Sequence, residues 1–209
     1  MRVGILGSGA SGLTGIKTCL DYGYEPVCFE KSDDIGGLWR YKPQECDGEA
    51  SVMKSTVINT SKEMMAYSDF PPSKEYPNFM HNTRVMDYFR QYVKRFGLDK
   101  YVQFHHEVRA VRKAPDYPAN GKWILEVHDL KSGESREETM DAVLLCSGHH
   151  VEPYTAKFKG LEKFKGNVRH SHSYKDHRGF EDKRVIVVGV GNSGGDIADR
   201  SLGEVFHES

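Results

Sequence analysis

The chain has 209 residues, 38% hydrophobic and 28% charged, the balance of a folded globular protein rather than a disordered one. Its 29 basic residues are offset by 30 acidic ones, for a formal net charge of -1, so charge nominates no nucleic-acid or polyanion partner. No apolar run approaches the roughly 20 residues that span a bilayer, and Cys19, Cys28, Cys46 and Cys146 form no C-x-x-C pair; this predicts no transmembrane segment and a reducing, cytoplasmic location.

"RVGILGSGASGLTGIKTCLDYGYEPVCFEKS" reads as strand, tight turn, helix and strand. A charge followed by apolar residues mimics a secretory leader, but the glycines and the abrupt strand-to-helix switch argue against one. Val3, Ile5 and Leu6 predict a short buried strand, followed at once by Gly7, Gly9 and Gly12 in G-x-G-x-x-G spacing. The first glycine permits the tight turn, the second lets backbone approach a pyrophosphate, and the third lets helix pack on strand. A helix beginning near Ser11 aims free N–H groups and its positive dipole end at phosphate. Leu13, Ile16, Cys19 and Leu20 form its apolar face, and Gly23 ends it. "PVCFE" is the next strand, and it ends at Glu30, near the offset of about 20 residues at which an acid hydrogen-bonds an adenosine ribose. An acid there disfavours a 2′-phosphate, so the site suits FAD or NAD better than NADP.

In "DIGGLWRY", Gly36 and Gly37 allow close backbone approach to a ligand, while Trp39 either stacks on one or is buried as core. "STVINTSKEMMAYSDFP" shows no clean period and reads as a loop holding Asn59, locally a turn former. "NTRVMDYFRQYVKRFG" is an amphipathic helix whose core stripe is Val85, Met86, Phe89, Tyr92, Val93 and Phe96, capped by Asn82 and Gly97. "YVQFHHEVRAVRK" and "KWILEVHD" predict antiparallel strands joined by "APDYPANG". "DAVLLCSGHH" predicts a buried strand running to Ser147 and Gly148, at the carboxyl end of a sheet where ligands sit. The adjacent pairs His105–His106 and His149–His150 predict side chains that diverge on strands, hence no metal site. After "HVEPY" the chain becomes loop-like and basic, until "VIVVGVG" predicts a buried strand leading into Gly189, Gly191 and Gly194. Two strand–glycine–helix units at opposite ends of the chain predict two dinucleotide sites.

Just before the second unit, "FKGNVRHSHSY" fits F-x-G-x-x-x-H-x-x-x-Y through Phe164, Gly166, His170 and Tyr174. With the two flanking fingerprints, this segment resembles the flavin-containing monooxygenases, and the likeness covers residues 1 to 198. "EKSDDIGGLWRY", "NTSKEMMAYSDFP", "YPNFMHN" and "LLCSGHHVEPY" look like the animal branch rather than the Baeyer–Villiger branch. For the histidines alone, a metal site at His170, His172 and His177 is the alternative. The resemblance implies an α/β fold: a Rossmann-like FAD-binding domain over 1-152 with a small antiparallel β insertion, then a linker and the beginning of an NADP-binding domain over 153-209. It implies FAD held by Gly7, Ser8, Gly9, Ala10, Ser11 and Gly12, with Glu30 on the ribose and Lys31, Gly37, Leu38, Trp39, Ser147 and Gly148 around it. Asn59 and Thr60 would sit beside the isoalloxazine, which makes Asn59 the catalytic candidate. NADP(H) would lie on Gly189, Gly191, Asn192, Ser193, Gly194, Gly195 and Asp196. In this family NADPH reduces FAD, O2 adds to give a C4a-hydroperoxyflavin, and an amine or sulfide takes one oxygen. His170 would orient the linker rather than act as a base.

Family members are far longer, so the resemblance also implies a truncated, N-terminal portion without the C-terminus that often associates them with the endoplasmic-reticulum membrane. "DRSLGEVFHES" departs from the family pattern. With the spacing of the first unit, the second ribose-reading residue falls beyond Ser209. Read instead as a short strand after Gly203, the ending puts Glu208 where a 2′-phosphate wants Arg. Three functions follow: a monooxygenase; a catalytically incompetent FAD-binding remnant that dimerises or regulates through exposed core surface; and a pyridine-nucleotide–disulfide reductase, disfavoured because no C-x-x-C lies near the first site.

Overall fold

The computed structural model describes residues 1–46 and 48–203, the last four by backbone alone; Glu208 and the strand reading of "GEVFHES" lie outside the described residues. Strand β1 (Arg2–Leu6) turns Val3 and Ile5 to one face of a sheet and Gly4 to the other, the two-residue alternation of a pleated strand. Helix α1 (Ala10–Asp21) then crosses to β2 (Glu25–Glu30), which pairs parallel to β1 with Leu6 opposite Phe29. A long loop segment follows, broken by the single turn α2 (Lys62–Met65), and leads into α3 (Asn82–Phe96). After it come β3 (Val102–Phe104), β4 (His106–Lys113), the turn α4 (Tyr117–Asn120), β5 (Trp123–Asp129), β6 (Ser135–Met140) and β7 (Ala142–Leu145). The last helix is α5 (Asn192–Gly203). Among the described residues the strands form a four-stranded parallel sheet in the order β3-β2-β1-β7 and an antiparallel sheet β4-β5-β6. This is the α/β architecture with an antiparallel insertion that the motifs predict.

The two faces of the parallel sheet are covered differently. On one, Val3, Ile5 and Cys28 pack against Leu13 and Ile16 of α1 and Val85, Phe89 and Tyr92 of α3. On the other, Val27 and Phe29 meet Leu125, Val127 and Met140 of the antiparallel sheet. Gly4 faces this second layer, where a Cβ would lie 3.0 Å from the Leu125 side chain and 3.1 Å from Met140. Tyr88, outside the predicted stripe of α3, is also buried, because its hydroxyl accepts from the Tyr67 N–H and donates to the Phe70 carbonyl.

Four sequence expectations are corrected. The N-cap of α3 is His81, whose ring Nδ1 accepts from the Thr83 N–H, rather than Asn82. Asn82 turns inward, and its amide donates toward the carbonyls of Met53, Lys54 and Thr56. "YVQFHHEVRAVRK" is two strands in two sheets, because His105 takes φ 60 and redirects the chain between β3 and β4. β7 is an edge strand with Leu145 72% exposed, not a buried one. Residues 185–190 form no strand among the described residues, and Ile186 is 81% exposed; no neighbouring strand in that set pairs with the segment.

Tyr174 anchors the second unit by packing with Met53 and Ile197. The Asn82 amide ties the Met53 end of that contact to α3, so Asn82→Ala removes its hydrogen bonds to three carbonyls that each keep one other partner. The expected loss is about 1 kcal/mol, seen as a lower urea midpoint, while the exposed Asn78→Ala stays within about 0.5 kcal/mol of the parent. An unchanged midpoint for Asn82→Ala contradicts this role.

Candidate functional site

The carboxyl ends of β1, β2 and β7 meet at one place. The Gly7 N–H donates to the Phe29 carbonyl at 2.8 Å, and the Cys146 N–H donates to the Leu6 carbonyl at 3.0 Å. Gly7 has φ +100, and a Cβ on it would stand 2.6 Å from the Cys146 carbonyl oxygen. A Cβ on Gly12 would be driven into the carbonyl oxygen of Gly7, so α1 can start against the β1 turn only with glycine there. Gly9 caps α1 without a side chain, leaving the first-turn N–H groups of the helix open toward the sheet edge. The second glycine pair closes over this turn: Gly37 Cα lies 3.7 Å from where a Gly9 Cβ would be.

A cavity of about 490 Å³ opens there, within the general size range of cofactor pockets. Gly7, Gly9, Ala10, Ser11, Gly37, Ser147 and Gly148 give it a backbone-rich wall, and Leu38, Trp39 and Val108 add apolar surface. Glu30 and Lys31 reach it from the end of β2. Glu30 is buried, and its carboxylate accepts from the N–H and hydroxyl of both Ser8 and Ser32. The Lys31 ammonium donates to the Gly48 carbonyl at 2.6 Å. Arg40 pairs with Asp33 at 2.7 Å, which holds the Asp33 carboxyl below its ordinary range and the guanidinium above its own. Beneath the turn, burial pushes the Cys28 thiol well up, with Glu30 and Cys146 adding to it, and burial raises Cys146 as well. Such thiols are poor nucleophiles.

The first fingerprint, Glu30, Lys31 and the Gly37–Trp39 turn are therefore brought together. Ser8 and Gly12 stand behind the wall rather than in it: Ser8 holds Glu30 and Gly12 sets the helix. Asn59 and Thr60 are not among the cavity-lining residues; Asn59 is exposed on the loop ahead of α2. Trp39 answers both of its sequence readings, since it lines the cavity and packs against the core. His149 and His150 do not diverge: they follow β7 rather than lie on it, His150 has φ 63, and their ring centroids are 4.1 Å apart. Sequence reasoning missed Ser32, Arg40, His106, Glu107, Val108 and Cys146 as lining residues. Ser32, Arg40 and Cys146 sit next to or near residues the motifs named, while His106, Glu107 and Val108 arrive by long-range folding.

The second unit repeats the turn geometry. Gly189 has φ +118, and a Cβ on Gly194 would run into the Gly189 carbonyl oxygen, as Gly12 does at Gly7. Asn192, Ser193, Gly194, Gly195 and Asp196 form the first turns of α5, directly after Gly191. His170 Nδ1 accepts from the His172 N–H, His172 pairs with Glu45, and the buried Lys175 donates to the Ser51 carbonyl, which fastens the linker to the first unit. No helix of the described residues is long and apolar enough to cross a membrane.

The family description "Flavin-binding monooxygenase-like" matches residues 1–205. Flavin-containing monooxygenase 5 of Rattus norvegicus is 54% identical over 200 residues, which covers 94% of this chain and 37% of the relative. Dimethylaniline monooxygenase [N-oxide-forming] 2 of Mus musculus is 48% identical over 98% of this chain and 39% of its own length. The chain thus spans less than half the length of these relatives. The solved S-allyl-L-cysteine S-oxygenase from Allium sativum superposes with a TM-score of 0.88 at 29% identity, over 97% of this chain and 48% of that one. By its glycine-walled first unit and its sequence, the chain belongs to the flavin-binding monooxygenase-like family.

Proposed function

We propose that this chain forms the FAD-binding part and the start of the NADP-binding part of a monooxygenase, which uses NADPH and O2 to oxygenate soft nucleophiles such as amines or sulfides. The observation that carries the reading is the cavity at the ends of β1, β2 and β7, walled by glycine backbone and edged by Glu30. A dinucleotide needs those features: a side chain at Gly9 or Gly37 would occupy the space over the helix end, and the open N–H groups of α1 suit a pyrophosphate. FAD, when bound, supplies hydride acceptance and oxygen activation.

The residues of the chain bind, orient and exclude water. Gly7, Gly9, Ala10 and Ser11 cradle the pyrophosphate, with Ser8 and Gly12 shaping the turn from behind; Glu30 takes the adenosine ribose, and Lys31 adds positive charge at that end. Leu38 and Trp39 would shield the flavin from water, and Ser147 and Gly148 would add backbone to its site. Asn59 and Thr60, outside the cavity wall, would serve the flavin's reactive edge where it extends beyond that wall, the Asn59 amide holding hydrogen bonds without surrendering a proton. Gly189, Gly191, Asn192, Ser193, Gly194, Gly195 and Asp196 receive NADP(H), and the two units divide near residue 152. The soft-nucleophile reading is supported by relatives named for N-oxide formation and S-oxygenation. All four cysteines are free thiols, in keeping with a cytoplasmic setting.

A second reading, FAD binding without turnover, is favoured by residues 185–190. Ile186 and Val188 are exposed there and the segment pairs with no strand among the described residues, so the NADP side is less enclosed than the FAD side. Such apolar surface also favours self-association.

Absorbance and turnover separate the two. The enzyme reading expects a yellow protein whose flavin band bleaches with NADPH and which then oxidises a thioether. A yellow protein that NADPH does not bleach supports the second reading, and a colourless protein that takes up no FAD contradicts both. In the active protein, Asn59→Ser is expected to retain FAD while lowering the ratio of product to NADPH consumed by several-fold. Loss of FAD from that variant contradicts the role given to Asn59.

A further inference from the structure

Glu30 is held more fully than recognition of a sugar requires. Its Oε2 accepts from the Ser8 N–H at 2.8 Å and the Ser8 hydroxyl at 2.9 Å. Its Oε1 accepts from the Ser32 N–H at 2.9 Å and the Ser32 hydroxyl at 2.7 Å. These four donors match the roughly four lone-pair sites of a carboxylate. A ribose hydroxyl that reaches Glu30 must therefore take the place of one of them.

The four donors differ in what they lose by yielding. The two backbone N–H groups are fixed by the turn after β1 and by the end of β2. The Ser8 hydroxyl is fully buried, so giving up Glu30 would leave a polar group without compensation in the core. The Ser32 hydroxyl is different, because the Asp34 carbonyl oxygen lies 2.9 Å from it as a second acceptor. One hydroxyl proton serves one acceptor at a time. Ser32 can turn to Asp34 at little cost, and it stands in the cavity wall where a sugar would arrive. The Asp34 carbonyl is itself held in place: Asp34 Oδ1 accepts from the Ile35 N–H at 2.8 Å, and Arg90 pairs with Oδ2 at 3.0 Å.

We propose that Ser32 is a positioning residue for ribose recognition: its hydroxyl keeps Oε1 of Glu30 aimed into the cavity, then passes its hydrogen bond to the Asp34 carbonyl as a ribose hydroxyl takes over. Only the hydrogen-bond partners change; no bond to hydrogen breaks. The inference rests on the proposed FAD site and names how that site reads the adenosine end. It also gives Ser8 and Ser32 unequal parts, Ser8 as the permanent anchor and Ser32 as the exchangeable one.

The test compares ADP with 2′,3′-dideoxy-ADP, which lacks both ribose hydroxyls, by calorimetric titration of the full chain. The unsubstituted protein is expected to favour ADP. Ser32→Ala should shrink that preference at least threefold while changing dideoxy-ADP affinity less than twofold, and Ser32→Thr, which keeps the hydroxyl, should restore it. An unchanged preference in Ser32→Ala overturns the inference. So does an equal weakening of both ligands, which marks a packing role, or a preference that Thr fails to restore. An unsubstituted protein that binds FAD but does not distinguish the two nucleotides overturns this inference alone. One that binds neither FAD nor ADP overturns the flavin reading and this inference together.

Discussion

The site depends on one steric constraint: α1 begins so close to the end of β1 that nothing but hydrogen fits at Gly12, under the Gly7 carbonyl. That approach fixes where the open N–H groups of the helix point and how near the sheet edge they stand. Gly7, with its positive φ, lets the chain leave β1 while the Cys146 carbonyl of the neighbouring strand lies against it. Parallel pairing then brings the end of β2, with Glu30, to the same level. Three strand ends and one helix end converge because Gly12 and Gly7 carry no side chain. The cavity is what remains between them and the Gly37–Trp39 turn.

The same constraint recurs at Gly194 and Gly189, yet its surroundings differ. Around the first turn, β2 and β7 flank β1 and the antiparallel sheet covers one face. Around the second, Val185, Ile186, Val188 and Val190 are exposed and their segment pairs with no strand among the described residues, and the anchorage comes from Tyr174, Ile197, Val187 and the linker hydrogen bonds to the first unit. A local turn is thus insufficient to define a binding site. The flanking strands supply the walls, which is why the first unit carries the functional reading and the second qualifies it.

The parts legible in the sequence were those fixed by near neighbours. The spacing of Gly7, Gly9 and Gly12 and the acid at Glu30 follow from one strand–turn–helix–strand unit, the stripe of α3 follows from the helical period, and each took the expected place. Elements set by distant pairing were not legible. The break at His105 arises because β3 adds to the parallel sheet while β4 begins a separate antiparallel one. The inward turn of Asn82 depends on carbonyls between Met53 and Thr56, which no helix pattern encodes. His106 and Val108 reach the cavity only once the antiparallel sheet has formed beside the parallel one. Asn59, named from family likeness rather than from its surroundings, stays outside the cavity wall.

A crystal structure of the chain grown with FAD reads this site directly. The pyrophosphate is expected against the Gly7–Gly12 turn, the adenosine ribose on Glu30, and the flavin end past Gly37, Leu38 and Trp39. FAD seated elsewhere on the protein, or a pyrophosphate away from the start of α1, would contradict that placement.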